Sequence, residues 1–343
     1  MADGKWIQDL AATTPLANAA RHVLTIRLEV VRDYLPKAVH EWEKDSEHVH
    51  QLRVGTRRAR AALDIFAGCL PLKDYKAARK RLRGVRRGAG EARDWDVFLA
   101  GLARLEPARA TQPKGKPAKA IANGNVENGE FSLRLSSSAV KKARPGFDFL
   151  IGYALAQRLV AQSHLQEAAG DYPFSFDRVV ADTVAAVVKP NHPQLRTLAD
   201  LARPSLAELL GRFSEAAAED LEDYVHLHQV RILGKRLRYA MEVFADCFVP
   251  AFREQYYPAI EEMQTILGNA NDSYVASSRL SIIIDKLRSL VPKELKRFRP
   301  GVEALLRFHR ERLPHERQRF LRWWERWQQS GHAASFAALV ASQ

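Results

Sequence analysis

The stretch "HVHQLRVGTRRARAALDIFAGC" occupies residues 48–69, and 178 positions later the chain reads "HLHQVRILGKRLRYAMEVFADC", residues 226–247. Without a gap, His48, His50, Gln51, Arg53, Arg58, Arg60, Ala62, Phe66, Ala67 and Cys69 meet identical residues at 226, 228, 229, 231, 236, 238, 240, 244, 245 and 247. So many identities in one register mark an internal repeat rather than chance.

Within the first copy Val49, Leu52, Thr56, Ala59, Leu63 and Phe66 recur at steps of three and four, the spacing of a buried helical face. His50, Arg53, Arg57 and Arg60 follow the same steps one residue later, so they form a second stripe turned by about 100° from the apolar one. The second copy repeats both features. Leu227, Val230, Gly234, Leu237, Met241 and Phe244 make its seam, and His228, Arg231, Lys235 and Arg238 its cationic row.

The same offset carries "GEARDWDV" from Gly90 onto "GNANDSYV" from Gly268. A third match, "RPGFDFL" from Arg144 against "RPGVEAL" from Arg299, comes at an offset of 155, which gives the first half about 23 extra residues. Helical periodicity is clearest in Leu16 to Glu43, His48 to Phe66, Tyr75 to Arg87 and Gly301 to Gln328, and helix formers dominate elsewhere, so the chain reads as all-α. Each half reads as four helices joined as a bundle. The expected organisation is a first repeat at 15–170, a connection at 171–192 and a second repeat at 193–329. Residues 107–146, rich in Pro, Gly, Asn, Ser and Lys, are expected to be a disordered insertion, with a short strand at Phe131 to Leu135 as the alternative.

Over 343 residues, 53 Lys and Arg outnumber 40 Asp and Glu, a net charge of +13 that draws polyanions, and 46% hydrophobic content is ample for a core. Cys69 and Cys247 are too few for a disulfide framework or a cysteine metal site, which suits a reducing compartment. No apolar run approaches the ~20 residues of a membrane span, and no signal peptide opens the chain, so a cytoplasmic protein is expected.

Like charges at helical spacing repel, so a duplicated cationic row points to a shared anion. Arginine forks grip phosphate oxygens, while lysine acts as a point charge. A row with one cation per turn suits an extended, repeating polyanion better than one small ligand. Asp94 and Asp272 follow glycines and are expected to cap the next helix, or else to orient arginines of the row. In "RFLRWWERWQQ" at least one or two of Trp323, Trp324 and Trp327 are expected in the core.

His-x-x-Arg-x-x-x-Arg/Lys-Arg-x-Arg occurs twice, each time with Gly-x-x-x-Asp beginning 40 residues after its first His. This doubled pattern resembles the CHAD family, the conserved-histidine α-helical domains, over roughly Pro15 to Gln328. The resemblance implies two four-helix bundles related by a pseudo-two-fold axis, with a basic channel or groove between them that binds inorganic polyphosphate. It implies that His50, Arg53, Arg57 and Arg58, with His228, Arg231, Lys235 and Arg236, line the channel. Arg60 and Arg238 complete the rows, and Arg79 and Arg83 join from the next helix. It also implies an association with polyphosphate granules. The insertion is longer than the compact connection expected of the family, and no triphosphate-tunnel domain lies in the chain.

A non-enzymatic polyphosphate binder is therefore expected, with no cofactor and no metal. Nucleic-acid binding by a basic helical protein is the alternative, weakened because the cationic helix lacks aromatics that stack bases. A metal-dependent phosphohydrolase is disfavoured: the two rings of His-x-His on a helix point about 200° apart, and no glycine-rich phosphate loop or catalytic triad signature occurs.

Overall fold

The computed structural model describes residues 5–104, 123–127, 130–170, 174–190, 194 and 196–341. Its helices are α1 (Leu16–His40), α2 (Glu47–Ile65), α3 (Leu72–Arg104), α4 (Ser137–Ala169), α5 (Phe174–Ala185), α6 (Leu198–Ala217), α7 (Tyr224–Phe244), α8 (Tyr257–Leu290), α9 (Pro292–Gln329) and α10 (His332–Ala341). Among the described residues the protein is all-α apart from one antiparallel hairpin, β1 (Asn123–Glu127) with β2 (Glu130–Arg134). The element order runs twice: α1, α2, a 3-10 turn at Ala67–Cys69, α3 and α4, then α6, α7, a 3-10 turn at Ala245–Cys247, α8 and α9.

The region expected to be a disordered insertion needs correction where it is described. Phe131 and Leu133 alternate with Ser132 and Arg134 in β2, a strand period, and pair with β1 in the register Val126↔Phe131. Residues 137–146 are not insertion but the start of α4, despite Pro145 and Gly146. Residues 107–122, 128 and 129 lie outside the described residues.

The chain forms two compact units, and these do not follow the two halves of the sequence. One comprises Met1–Arg93, Val160–Gln264 and Trp323–Gln343; the other comprises Asp94–Leu159 and Thr265–Arg322. The physical reason is helix length. A helix of 33 residues, such as α3 or α4, extends about 50 Å, longer than one small core can cover, so it serves both units.

In the first unit α1 packs on α2 and α5, α6 packs on α7 and α10, and α2 meets α7. The apolar seams are fully used: Val49, Leu52, Ala59, Leu63 and Phe66 on α2, and Val230, Leu237, Met241 and Phe244 on α7, have no exposed surface. The starts of α1 and α6 are tied by reciprocal bonds, Leu16 N to Arg196 O at 2.9 Å and Leu198 N to Thr14 O at 2.9 Å. Thr197 and Asp200 form a capping box on α6, and Asp223 caps α7 through the N–H of Val225. At the other end of α4, Arg81 donates to the carbonyls of Ala168 and Ala169, placing a cation on the negative end of that helix. Trp323 and Trp327 are buried and stacked 5.5 Å apart, while Trp324 lies half-buried with its ring on Phe213, so the tryptophans serve this core.

In the second unit α4 and α9 cross at Gly146 and Gly301, the repeat-related glycines of the two "RPG" motifs. A Cβ on Gly146 would fall 2.8 Å from the Gly301 Cα, and one on Gly301 would fall 2.8 Å from the Gly146 Cα. Only glycine permits the two backbones to approach this closely. Phe149 stacks on Phe298 beside the crossing, and Arg158 is buried in an ion pair with Asp96 at 2.6 Å.

The glycines before Asp94 and Asp272 make no bend, which corrects the capping expectation. α3 and α8 run straight through them. Gly88 is needed for close packing instead, since a Cβ there would sit 2.8 Å from the Leu165 Cα. Asp94 is a mid-helix residue whose carboxylate lies 3.7 Å from Arg279 and whose carbonyl accepts from the same guanidinium, while Asp272 is exposed. Neither caps a helix. Among the described residues no helix is long and apolar enough to cross a membrane.

Candidate anion-binding site

On α2, Val49, Leu52 and Thr56 fix the helix by their burial, and this leaves His50, Arg53, Arg57 and Arg60 half-exposed along the adjoining stripe. The next helix, α3, brings further cations against that stripe. Arg93 and Arg57 both act on His50, whose pKa is held below its ordinary value first by burial and then by Arg93, Arg53 and Arg57, with Glu47 opposing. Arg86 is likewise held down by burial and by the neighbouring Arg60, Arg57 and Arg83. One cluster therefore joins His50, Arg53, Arg57 and Arg60 of α2 with Arg83, Arg86 and Arg93 of α3. Among the described residues Arg57, Arg83, Arg86 and Arg93 meet no carboxylate.

Arg86 and Arg93 are the residues that the motif did not supply. Their signal was present in α3, where Arg79, Arg83, Arg86, Gly90 and Arg93 recur at steps of four and three. Arg79 itself lies at the edge of the cluster, where it shares Asp64 with Arg60, at 3.4 Å and 3.7 Å, and Tyr75 donates to the same carboxylate at 2.8 Å.

Arg58 departs from its expected place in the lining. It is 4% exposed, and its Nε and Nη2 donate to Glu242 at 2.7 Å and 3.2 Å. Arg27, also buried, lies 3.6 Å from the same carboxylate, and the Tyr257 hydroxyl donates to it at 2.9 Å. Burial pulls the Arg27 pKa down to about 10 against the attraction of Glu242. The sequence position explains this: Arg58 follows Arg57, so it is turned by about 100° off the row and toward α7.

On α7 the second row occupies the matching positions. His228, Arg231, Lys235 and Arg238 are half-exposed, and the hydroxyl of Tyr224 lies 3.4 Å from His228 Nδ1. Arg238 is held by Glu261 at 3.2 Å. Burial lowers its pKa, but Tyr239, Glu242 and Tyr257 outweigh that and raise it, so this cation is already neutralised within the fold. Arg236, the repeat partner of buried Arg58, is exposed instead. The two rows are thus alike in sequence, and each ends on an arginine paired with a carboxylate, Arg60 with Asp64 and Arg238 with Glu261.

Both thiols are buried at the 3-10 turns. Burial pushes Cys69 up, and burial with Asp246 pushes Cys247 to about 12, which leaves them unreactive. Among the described residues no three His, Cys, Asp or Glu side chains gather as a metal site.

The sequence matches the CHAD domain over residues 22–281, and the chain belongs to that family. Two solved structures share its fold. The crystal structure of the CHAD domain from the plant Ricinus communis is 22% identical, covers 93% of this chain and 95% of its own, and superposes with a TM-score of 0.67. PptA from Streptomyces chartreusis is 19% identical, covers 91% of this chain and 100% of its own, and has a TM-score of 0.59. No curated protein matches the sequence.

Proposed function

We propose that this protein binds inorganic polyphosphate without turning it over, through the cationic rows of α2 and α7 together with Arg83, Arg86 and Arg93 of α3. The observation that carries this reading is the crowding of Arg57 and Arg93 around His50 and of Arg57 and Arg83 around Arg86, with no carboxylate partner for these four arginines among the described residues. Holding several cations half out of water beside one another costs free energy that a multivalent anion returns. Membership of the CHAD family, which is linked to polyphosphate, points the same way.

The helical spacing offers one cation per turn, so successive phosphates of a slender chain can be engaged in sequence. His228, Arg231, Lys235 and exposed Arg236 continue the site on α7, which packs on α2. Arg58 acts here as the support that holds α2 to α7, and Arg60, Arg79 and Arg238 sit at the flanks with their carboxylates. Such binding would bring the protein to polyphosphate granules.

The test is binding of the purified protein to long-chain polyphosphate with duplex and single-stranded DNA as competitors, comparing wild type with the double variant Arg53→Ala/Arg231→Ala. Tight binding that DNA does not displace, and a loss of roughly tenfold or more in the variant, is the expected result. Stronger binding to DNA, or an unchanged variant, would overturn it.

A further inference from the structure

A second set of cations lies on α3. Lys73, Lys76, Lys80, Arg83 and Arg87 are all exposed and recur at steps of three and four. On a helix these positions fall within an arc of about 80° and run for about 21 Å. Among the described residues none of these five side chains forms an ion pair or a hydrogen bond. Several exposed arginines on other helices are differently placed: Arg178 on α5 faces Asp182, Arg212 on α6 faces Glu208, and Arg299 on α9 faces Glu303, each one turn away. A stripe of like charges without such partners is destabilising to its own helix.

The repeat sharpens the point. At the 178-residue offset the five positions become Ala251, Glu254, Pro258, Glu261 and Thr265, so the second half carries two carboxylates and no cation where the first carries five cations. The stripe is therefore peculiar to one half. It is also continuous with the row on α2, because Arg83 belongs to the stripe and neighbours Arg86, which in turn neighbours Arg57 and Arg60.

We propose that the exposed stripe of α3 is a one-sided extension of the anion site, which engages the phosphates of long polyphosphate that outrun the α2 row. It rests on the polyphosphate reading above and adds a direction and a length preference to it. A short oligomer fills the row and gains nothing from the stripe. A long chain leaves the row at Arg86, passes Arg83 and continues along Lys80, Lys76 and Lys73. At the matching places the second half has Ala251 and Glu254 before α8 and Pro258, Glu261 and Thr265 on it, so it offers the chain no equivalent cationic path.

The experiment compares wild type with Lys73→Gln/Lys76→Gln/Lys80→Gln, measuring dissociation constants for tripolyphosphate and for long-chain polyphosphate at several salt concentrations. The expected result is a loss of roughly tenfold or more for the long chain, under about twofold for tripolyphosphate, and a fall of about 2 in the log–log salt slope for the long chain alone. An unchanged melting temperature shows that the exposed substitutions leave the fold intact. Equal losses for both ligands would reduce the stripe to a general field and overturn the proposal, as would no loss for either. If duplex DNA displaces the long chain from wild type but not from the variant, the stripe serves nucleic acid and the proposal fails. Wild type that binds neither ligand refutes the polyphosphate reading itself, a result distinct from wild type that binds both while the variant changes nothing.

Discussion

Glu242 shows how one carboxylate can organise a basic protein. It takes the charges of Arg27 and Arg58 and a hydroxyl bond from Tyr257, all out of water. Removing its charge leaves two buried guanidinium groups without their shared counter-ion, and breaking a buried pair in this way costs about 3–5 kcal/mol. Glu242→Gln is therefore expected to lower stability by that amount in chemical denaturation, whereas Asp64→Asn, at the partly exposed repeat position, should cost about 1 kcal/mol or less. His50 gives the second prediction. In the free protein burial and Arg93 favour its neutral form, and a bound polyanion reverses that balance. The complex then holds more protons than the free protein between the two pKa values, so affinity should strengthen as pH falls through that window. An NMR titration should show the His50 pKa rising on addition of polyphosphate; no shift would remove it from the site. The histidines and arginines of the rows were legible from spacing alone. The burial of Arg58 was not, because the motif that names it is the same on both copies while only one copy faces Glu242.

The helices teach a different lesson. Steps of three and four located α2 and α7 and assigned their buried faces residue by residue, because an amphipathic helix writes its burial into its period. Glycine misled the reading of α3 and α8, since a glycine that usually signals a turn also permits two helices to touch. Gly88 against Leu165, and Gly146 against Gly301, are contacts of the second kind. Gly146→Ala is expected to destabilise the second unit by about 2 kcal/mol or more, as overpacking at a backbone contact leaves no side chain to move aside. Hydrogen exchange should show the loss in α4 and α9 near the crossing; an unchanged exchange pattern would mean that the helices separate at little cost. Gly90, with open space beside it, should accept alanine with no loss of stability.

For the protein as a polyelectrolyte, the net charge of +13 and the concentration of cations on α2 and α3 predict polyphosphate binding that weakens steeply with salt. The log–log slope measured for long-chain polyphosphate should exceed that of Arg53→Ala/Arg231→Ala by about 1 to 2, one increment for each phosphate contact removed. A slope unchanged by the double variant would mean that those two arginines meet no phosphate. The inequality of the two halves also matters here. α3 adds Arg83, Arg86 and Arg93 to the first row, while at the 178-residue offset α8 carries Glu261, Gln264 and Asn271, so the first half should hold the anion more strongly than the second.

By itself the sequence determined the helical class, the buried seams and the existence of two cationic rows, because each of these is periodic and local. Only the tertiary structure decided that the compact units mix the two halves, that Arg58 belongs to the core, that Asp94 and Asp272 cap nothing, and that Arg93 joins His50 and Arg86 joins Arg57. Those outcomes depend on which helix lies beside which, and a helix carries in its own residues no record of the neighbour that will face it.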